Sequence, residues 1–588
     1  MRQWLAMKIL TADEMGSADR RSVEAGVPVW TLMQAAGGAL ARFCERRFGG
    51  TGLVVVLAGK GNNGGDGMVA ALRLAEAGWR VRVALLGKAS DLKGDAERAW
   101  EMLGKSSASC EPTSQKRDVG HPVSVEARED IGSVRMERVE IEDEAGLRGA
   151  LEGAGLVIDA VVGTGFKPPL RGLAAVAQGL LTESAVPVVA VDLPSGWDAD
   201  SLEEKAEGAF RADAVVTFTA PKLAHVFGHL TVGKTFGAVV VAEIGTPEGA
   251  VESATGLTWG GSSKAIAEAP RAINGNKGRL GHVLLVGGAF GKAGAPSMAS
   301  VAAMRAGAGL VTAAVPREIL SIVAAVAPEL MLTPLEEQGS GSRVQGSGFE
   351  VGGLALDQLE NEPLKALLKG ISVVGIGPGL GQEGTTPQWV RTFVGRVTLP
   401  MVIDADALNA LAGRTSMLKD AAKKGRTIVL TPHPGEMARL VGMTVKEVEA
   451  DRVGLARRFA TEHGVTLVLK GWRTLVAHPD GRVAVNTTGN PSMAKGGSGD
   501  ILNGIVSAML AQYGDESKGG DVASAVEAAV FLHGLAGDFA CLAQEEHTVL
   551  AMDTVGHLWQ AFRARVKDAD GLTWIAGTAK NGSREGGF

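Results

Sequence analysis

Residues 53–67, LVVVLAGKGNNGGDG, decide how the first half of the chain folds. The apolar, mostly β-branched run 53–57 suits a strand buried on both faces, and the glycine-rich turn after it opens a helical stretch from about Met68. Working outward, similar short runs recur with enough chain between them for a helix: 81–87, 156–165, 186–196, 213–221 and 237–245. That spacing is the pattern of parallel strand–helix–strand units. It breaks over 247–280, which is rich in Gly, Ala and Ser, and resumes at 282–288, 310–316, 372–381, 401–408, 427–436 and 465–477. The expectation is an α/β chain of two domains: 1–246, a linker at 247–274, 275–572, and a disordered tail at 573–588. Polar stretches near 104–138 and 337–350 read as surface insertions.

Composition agrees with that class and excludes others. The 588 residues are 45% hydrophobic and 21% charged, with 82 glycines, as in an enzyme of α/β type. The net charge of −6, from 59 basic and 65 acidic residues with no long basic block, argues against nucleic acid as a partner. Cys44, Cys110 and Cys541 are too few and too scattered for a disulfide framework and read as buried thiols. The N-terminus is too short in its apolar part for a signal peptide, and no uninterrupted apolar run is long enough to cross a membrane. The expected location is the cytoplasm, with Met1 or Met7 as the start.

Gly59, Gly61 and Gly64 satisfy G-x-G-x-x-G, the loop of dinucleotide-binding dehydrogenases. Such an enzyme holds the ribose hydroxyls with an acid at the end of the next strand, where this chain has Gly87 and Lys88. The loop instead offers Asn62, Asn63 and Asp66, oxygen and amide groups beside free backbone N–H groups, suited to phosphate or a hard cation. Asp159 and Asp192 each close a later strand, and in an open parallel sheet such ends converge on one crevice.

The stretches AGKGNNGGDG (58–67), DAVVGTGFKPPLRG (159–172) and VDLPSGWDAD (191–200) resemble the N-terminal domain of bifunctional NAD(P)H-hydrate repair enzymes, a Rossmann-like three-layer domain. LTADEM (10–15) and GVPVWTLMQAAG (26–37) fit its opening helices, although Gln34 and Ala35 stand where that family has an acid followed by Asn. The resemblance implies potassium ligands at Asn63, Asp159 and Ser195. It implies contacts to the hydrated nicotinamide nucleotide from Asn62, Asn63, Gly64, Gly65 and Asp66, from Gly163, Thr164, Gly165, Phe166, Lys167, Pro168 and Pro169, and from Asp192. The implied activity is epimerisation of the R and S hydrates of NADH or NADPH, with Asp192 as the candidate acid/base.

In the second half, NPSMAKGGSGDILNGIVSAML (490–510) puts Gly496, Gly497, Ser498 and Gly499 ahead of an apolar-periodic helix. Free N–H groups at a helix N-terminus attract phosphate, and glycine lets it come close. Asp500 reads either as a helix cap or as a general base beside the bound phosphate. The run resembles the G-x-G-D signature of ribokinase-like kinases, and with TPHPGEMARLVG (431–442), GIGPGLG (375–381) and IDADALNAL (403–411) it resembles their ADP/ATP-dependent NAD(P)H-hydrate dehydratase branch. Lys495 and Asn503 depart from that pattern. Carried over, the resemblance places Ala295, Gly379, His433 and Asp500 against the hydrate. Lys470, Gly471, Trp472, Arg473, Thr474 and Gly499 would face ADP, and Glu436 would lie near magnesium. Asp500 would take the proton from the ring hydroxyl while a phosphoryl group is transferred to it, after which phosphate leaves and NADH or NADPH is restored.

Potassium, magnesium and ADP are thus the expected cofactors, and a homo-oligomer acting on small molecules the expected state. Two other readings stay open: a ribokinase-like vitamin or sugar kinase with a regulatory N-terminal nucleotide-binding domain, and a first domain that is a sensor or binding module without catalysis.

Overall fold

The computed structural model describes residues 6–49, 52–108, 136–231, 237–337 and 353–577. Cys110 and the greater part of both expected insertions lie outside them; Cys44 and Cys541 are buried and unpaired. The chain forms two compact units, residues 8–255 with the segment from 567, and residues 256–566 with Met7.

The first unit is built on strands β1 (Leu53–Ala58), β2 (Arg80–Leu86), β3 (Met136–Ile141), β4 (Ala154–Ala160), β5 (Val188–Val191), β6 (Ala214–Phe218) and β7 (Ala238–Ala242). With a last strand from the end of the chain, Leu572–Ala576, they make an eight-stranded sheet in which only that last strand is antiparallel to its neighbour. Side chains alternate across β1 and so divide between two cores. Val54, Val56 and Ala58 pack with residues of helices α2 (Val29–Phe48) and α3 (Asn62–Glu76), while Met15 and Ala18 of α1 (Ala12–Glu24) form a separate small cluster with Leu10 and Ala220. Val55 and Leu57 pack with Leu147, Ala150, Ala177 and Leu181 on the opposite face. Helices on both faces explain why these strands are unbroken Val/Ala/Leu runs rather than alternating ones. β1 lies between β2 and β4, so the strand order reverses there and opens a crevice at the carboxyl ends.

The second unit contains β8 (Leu257–Trp259), β9 (His282–Val286), β10 (Leu310–Pro316), β11 (Met331–Leu335), β12 (Val373–Ile376), β13 (Met401–Ile403), β14 (Ile428–Leu430), β15 (Thr466–Leu469), β16 (Leu475–Ala477) and β17 (Val483–Val485). The strand Leu572–Ala576 of the first unit is accordingly β18. The sheet order is β11-β10-β9-β12-β13-β14-β15-β16-β17-β8, parallel except at β15–β16 and β16–β17, with its reversal at β9. Helix Ser498–Tyr513 packs against helix Gly294–Arg305 so closely that a Cβ on Gly504 would stand 2.0 Å from the Ala299 carbonyl oxygen. Gly504→Ala is expected to destabilise the protein by about 1–3 kcal/mol, seen as a lower unfolding midpoint in denaturant, because neither helix backbone can give way without losing its own packing. Helix Val522–Ala543 is long and apolar enough to cross a membrane, with a mean hydropathy of 1.4, yet 89% of that window is buried in the fold and it carries Glu527, His533 and Asp538.

The segmentation differs from the expected one at three places. Residues 247–274 are not a linker: β8 pairs with β17, Trp259 donates its N–H to the Met7 carbonyl at 2.9 Å, and Gly260–Ala267 is a 3-10 helix with Ser263 and Lys264 buried. The division therefore falls at 255/256 rather than 246 and 275. The run 465–477 is a hairpin, turning at Gly471 (φ 139°) and Arg473 (φ 52°). The tail expected from 573 is corrected at its start, since Leu572–Ala576 is a strand paired with β7; from 578 it lies outside the described residues.

Candidate active sites

In the first unit β1, β4 and β5 end at one crevice. Asp159, next to last in β4, is fully buried and accepts from Ser195 N at 2.7 Å, Ser195 Oγ at 2.6 Å and Val161 N at 3.3 Å. Burial pushes its pKa up to about 6 against those hydrogen bonds, and no basic side chain among the described residues contributes a balancing charge. Ser195 Oγ also accepts from Val162 N at 3.0 Å. Asn63 reaches the same loop from the other side: its Oδ1 would be 3.0 Å from a Cβ on Gly163, and its buried Nδ2 has no hydrogen-bond partner. The three residues expected around potassium are therefore gathered at adjoining loops. The glycine loop owes its tightness to Gly64, where a Cβ would meet the Gly59 carbonyl oxygen at 2.0 Å.

Above these groups opens a cavity of about 750 Å³. Its polar wall includes the expected Asn62, Asn63, Asp66, Gly163, Thr164, Gly165, Phe166 and Asp192, and its apolar wall comes from α1, α2, Phe218 and Ile244. Gly64 and Gly65 are buried, while Lys167 is ion-paired with Asp198 at 2.7 Å and Asp200 at 3.0 Å. Lys167, Pro168 and Pro169 are not part of the cavity lining.

Asp192 lines the same cavity. It sits at φ 65° just past β5, and its carboxylate accepts from Lys222 Nζ at 2.8 Å, Thr217 Oγ1 at 2.8 Å, Thr164 N at 3.1 Å and the Thr164 hydroxyl. Burial opposes its charge, but the Lys222 ammonium, the His225 ring and these hydrogen bonds prevail and hold the carboxyl well below the usual range. A carboxylate held charged in this way carries a proton poorly at neutral pH, which bears against the expected acid/base role. His225, whose Nε2 is 2.7 Å from the Asp192 carbonyl oxygen, is held neutral by burial, with its pKa near 4. Lys222, buried and lining the cavity, was missed; it lies one residue past the run 213–221, and the strand-end rule that found Asp159 and Asp192 would have found it if extended by that residue. Asp66 and Asp19 also line the cavity; burial, Asp192 and Asp19 raise the Asp66 carboxyl against Lys222, and burial and Asp192 raise that of Asp19 against Lys222 and Arg20.

In the second unit the turn Gly496–Gly497 leads into helix Ser498–Tyr513, with Gly497 at φ 98° as its N-cap and Asp500 in its first turn. A Cβ on Gly499 would lie 3.3 Å from Lys470 Nζ and 3.7 Å from Asp404 Oδ2. Lys470 pairs with Asp404 at 3.0 Å and stands 3.8 Å from Glu436, which accepts from the His433 backbone N–H at 2.8 Å as part of a helix cap. Burial raises the Asp500 carboxyl to about 6, aided by Asp404, Asp406 and Glu436 and opposed by Lys470. The His433 ring is held below its ordinary pKa chiefly by burial.

Gly379 and Ala295 adjoin, a Cβ on the former standing 3.0 Å from the Ala295 Cβ, and Asp406 beside them accepts from Gly381 N at 2.8 Å. Asp404 and Asp406 were missed as site residues although both lie in the quoted 403–411 stretch; Asp404 reads locally as the cap of helix Ala405–Leu411, which it also is. Of the expected nucleotide-facing residues, Lys470 and Gly499 meet at this cluster. Gly471, Trp472, Arg473 and Thr474 form the hairpin turn next to it, where Arg473 stacks over the Trp472 ring at 4.2 Å and Thr474 Oγ1 donates to the Gly471 carbonyl at 3.2 Å. Among the described residues no three His, Cys, Asp or Glu side chains are spaced to hold a metal ion by themselves. Glu436 fits magnesium only in the usual manner of that ion, through one or two carboxylates completed by phosphate oxygens and water.

Two α/β units, each gathering acids and glycine turns at the reversal of its sheet, define an enzyme class that handles phosphate-bearing small molecules. Residues 283–560 match the family model described as NAD(P)H-hydrate dehydratase, and residues 30–224 the one described as YjeF-related protein N-terminus. The bifunctional NAD(P)H-hydrate repair enzyme of Moorella thermoacetica is 38% identical over 566 residues, covering 94% of this chain and 96% of the relative. That of Escherichia coli is 31% identical over 507 residues, covering 85% and 84%. The ADP/ATP-dependent NAD(P)H-hydrate dehydratase of Bacillus subtilis, crystallised with ATP and Mg2+, is 27% identical and covers 52% of this chain and 96% of its own, with a TM-score of 0.40. The chain belongs to the family of bifunctional NAD(P)H-hydrate repair enzymes.

Proposed function

We propose that the chain repairs hydrated nicotinamide nucleotides in two steps, the first unit interconverting the R and S hydrates of NADH or NADPH and the second dehydrating the S form at the expense of ADP, giving AMP and phosphate. The observation that carries this reading is Asp500, half-buried at a glycine-bounded helix N-terminus with its carboxyl raised to about 6, a base placed where a phosphate would be held. Asp500 takes the proton of the ring hydroxyl, the N–H groups after Gly497 hold the phosphates, and Lys470 faces the same turn. Magnesium, with Glu436 as its protein ligand, would neutralise phosphate charge. Ala295, Gly379 and His433 would border the hydrate, and the turn Gly471–Thr474 the nucleotide.

In the first unit the reading rests on Asp159, a buried carboxylate lacking a counter-charge, with Ser195 and Asn63 adjoining it. If the Asn63 amide is turned over, an oxygen replaces its unpaired Nδ2, giving an all-oxygen set suited to potassium. Potassium would supply the missing positive charge. The apolar wall from α1 and α2 and the polar loops opposite suit a nucleotide with one flat ring. A cytoplasmic location and a homo-oligomeric state complete the proposal; the latter is read from the mass of the native protein.

The kinase alternative has no support from relatives that are repair enzymes over nearly the whole chain. The test mixes purified protein with both hydrate epimers, ADP, Mg2+ and K+ and follows dihydronicotinamide absorbance together with free phosphate. Full recovery of absorbance with equal phosphate release is expected. Accumulation of a stable phosphorylated alcohol without that recovery would sink the reading, and replacing ADP by ATP reports nucleotide preference.

A further inference from the structure

The first cavity is lined by one carboxylate held by protein partners and by two that are not, Asp66 partly exposed and Asp19 exposed. Asp192 is bonded by Lys222, Thr217 and Thr164. Asp66, near the start of α3, and Asp19, on α1, line the same cavity, and among the described residues neither accepts a hydrogen bond nor forms an ion pair. Lys222 cannot serve them as a donor, since its ammonium is committed to Asp192, Thr217 and the Phe218 carbonyl. A hydroxylated ring carbon next to nitrogen can invert by losing its oxygen as water, and that route needs a group that carries a proton at neutral pH and can be reached by the ring.

We propose that Asp66 is the proton donor and acceptor of the epimerisation. This rests on the proposed epimerase activity of the first unit. Asp66 gives its proton to the ring hydroxyl; the C–O bond breaks with its electron pair on oxygen, water leaves, and the ring nitrogen lone pair forms a C=N bond. Water then adds to the other face, the C=N electrons return to nitrogen, and the surplus proton of the added water goes back to the Asp66 carboxylate. Nothing is oxidised or reduced. The charged groups facing Asp66 are Asp19, Asp192 and Lys222, and the two negative neighbours together with burial outweigh the one positive. Lys60, on the glycine loop, is engaged by Asp91 at 2.5 Å.

The experiment gives the full-length protein pure R hydrate or pure S hydrate with ADP, Mg2+ and K+. In Asp66→Asn, conversion of the R hydrate is expected to fall by about 10²- to 10⁴-fold or to the spontaneous rate, with S conversion and the potassium-dependent rise in melting temperature unchanged. Asp66→Glu should recover part of the loss. R conversion by folded Asp66→Asn within a few-fold of wild type would overturn the assignment alone, whereas a wild type that converts R only at the spontaneous rate would overturn the epimerase reading as well.

Discussion

Asp500→Asn is expected to lower dehydration of the S hydrate by about 10²- to 10⁴-fold while leaving nucleotide affinity within a few-fold, because the amide keeps the shape of the helix turn and loses only the base. Wild-type dehydration should also fall as pH drops through about 6, since Asp500 works as a base only when ionised and its carboxyl is held near that value. The sign follows from its surroundings: burial and three neighbouring carboxylates favour the protonated form, and Lys470 alone opposes them. Steady-state rates with pure S hydrate, at saturating ADP across the pH range, check both statements. Near-normal turnover in the variant would exclude Asp500 as the base.

Removing the buried acid of the first unit should separate the two activities. Asp159→Ala, with Asp159→Asn as the variant that keeps the shape, is expected to lower R-hydrate conversion by about 10²-fold through misplacement of the loops around it. The S hydrate should be consumed normally, so a mixed substrate gives a fast phase and then a slow one. A physical readout accompanies the kinetic one. The pKa of Asp159 is higher in the folded than in the unfolded state, so stability is lost as pH rises from the unfolded value through about 6. A cation that binds the carboxylate recovers that loss. Potassium chloride should thus raise the melting temperature of wild type at pH 7.5 (~) more than at pH 5 (~), and not that of Asp159→Asn. A single-phase time course, or equal loss of both activities in a folded variant, would refute this division.

Much of the architecture was legible because buried parallel strands are continuous apolar runs, and every run between 53 and 245 became a strand. Strands that depart from that rule were not. β3, MERVEI, lies at a sheet edge with Glu137, Arg138 and Glu140 exposed, so its pattern is polar, and β8 and β17 are three residues each, too short to show a period. The sites divide in the same way. Asn63, Asp159, Ser195 and Asp500 belong to contiguous glycine-bounded motifs at strand or helix ends and could be named from the sequence. Asp19, Lys222, Asp404 and Asp406 look locally like helix-surface or capping residues, and acquire meaning only through elements far away in the chain. Asp192 was legible at its strand end, but the ion pair that holds its charge comes from Lys222 and was not.

The order of the strands has a consequence for synthesis. Since β18 completes the first sheet beside β7, residues 256–566 are an insertion between two adjacent strands. A ribosome adding roughly 5–20 residues per second takes on the order of tens of seconds over that insertion. For all that time the nascent first unit, with its cavity residues already made, carries β7 as an open sheet edge able to recruit strands from other chains. Premature termination within the insertion leaves β7 without the strand that completes its sheet.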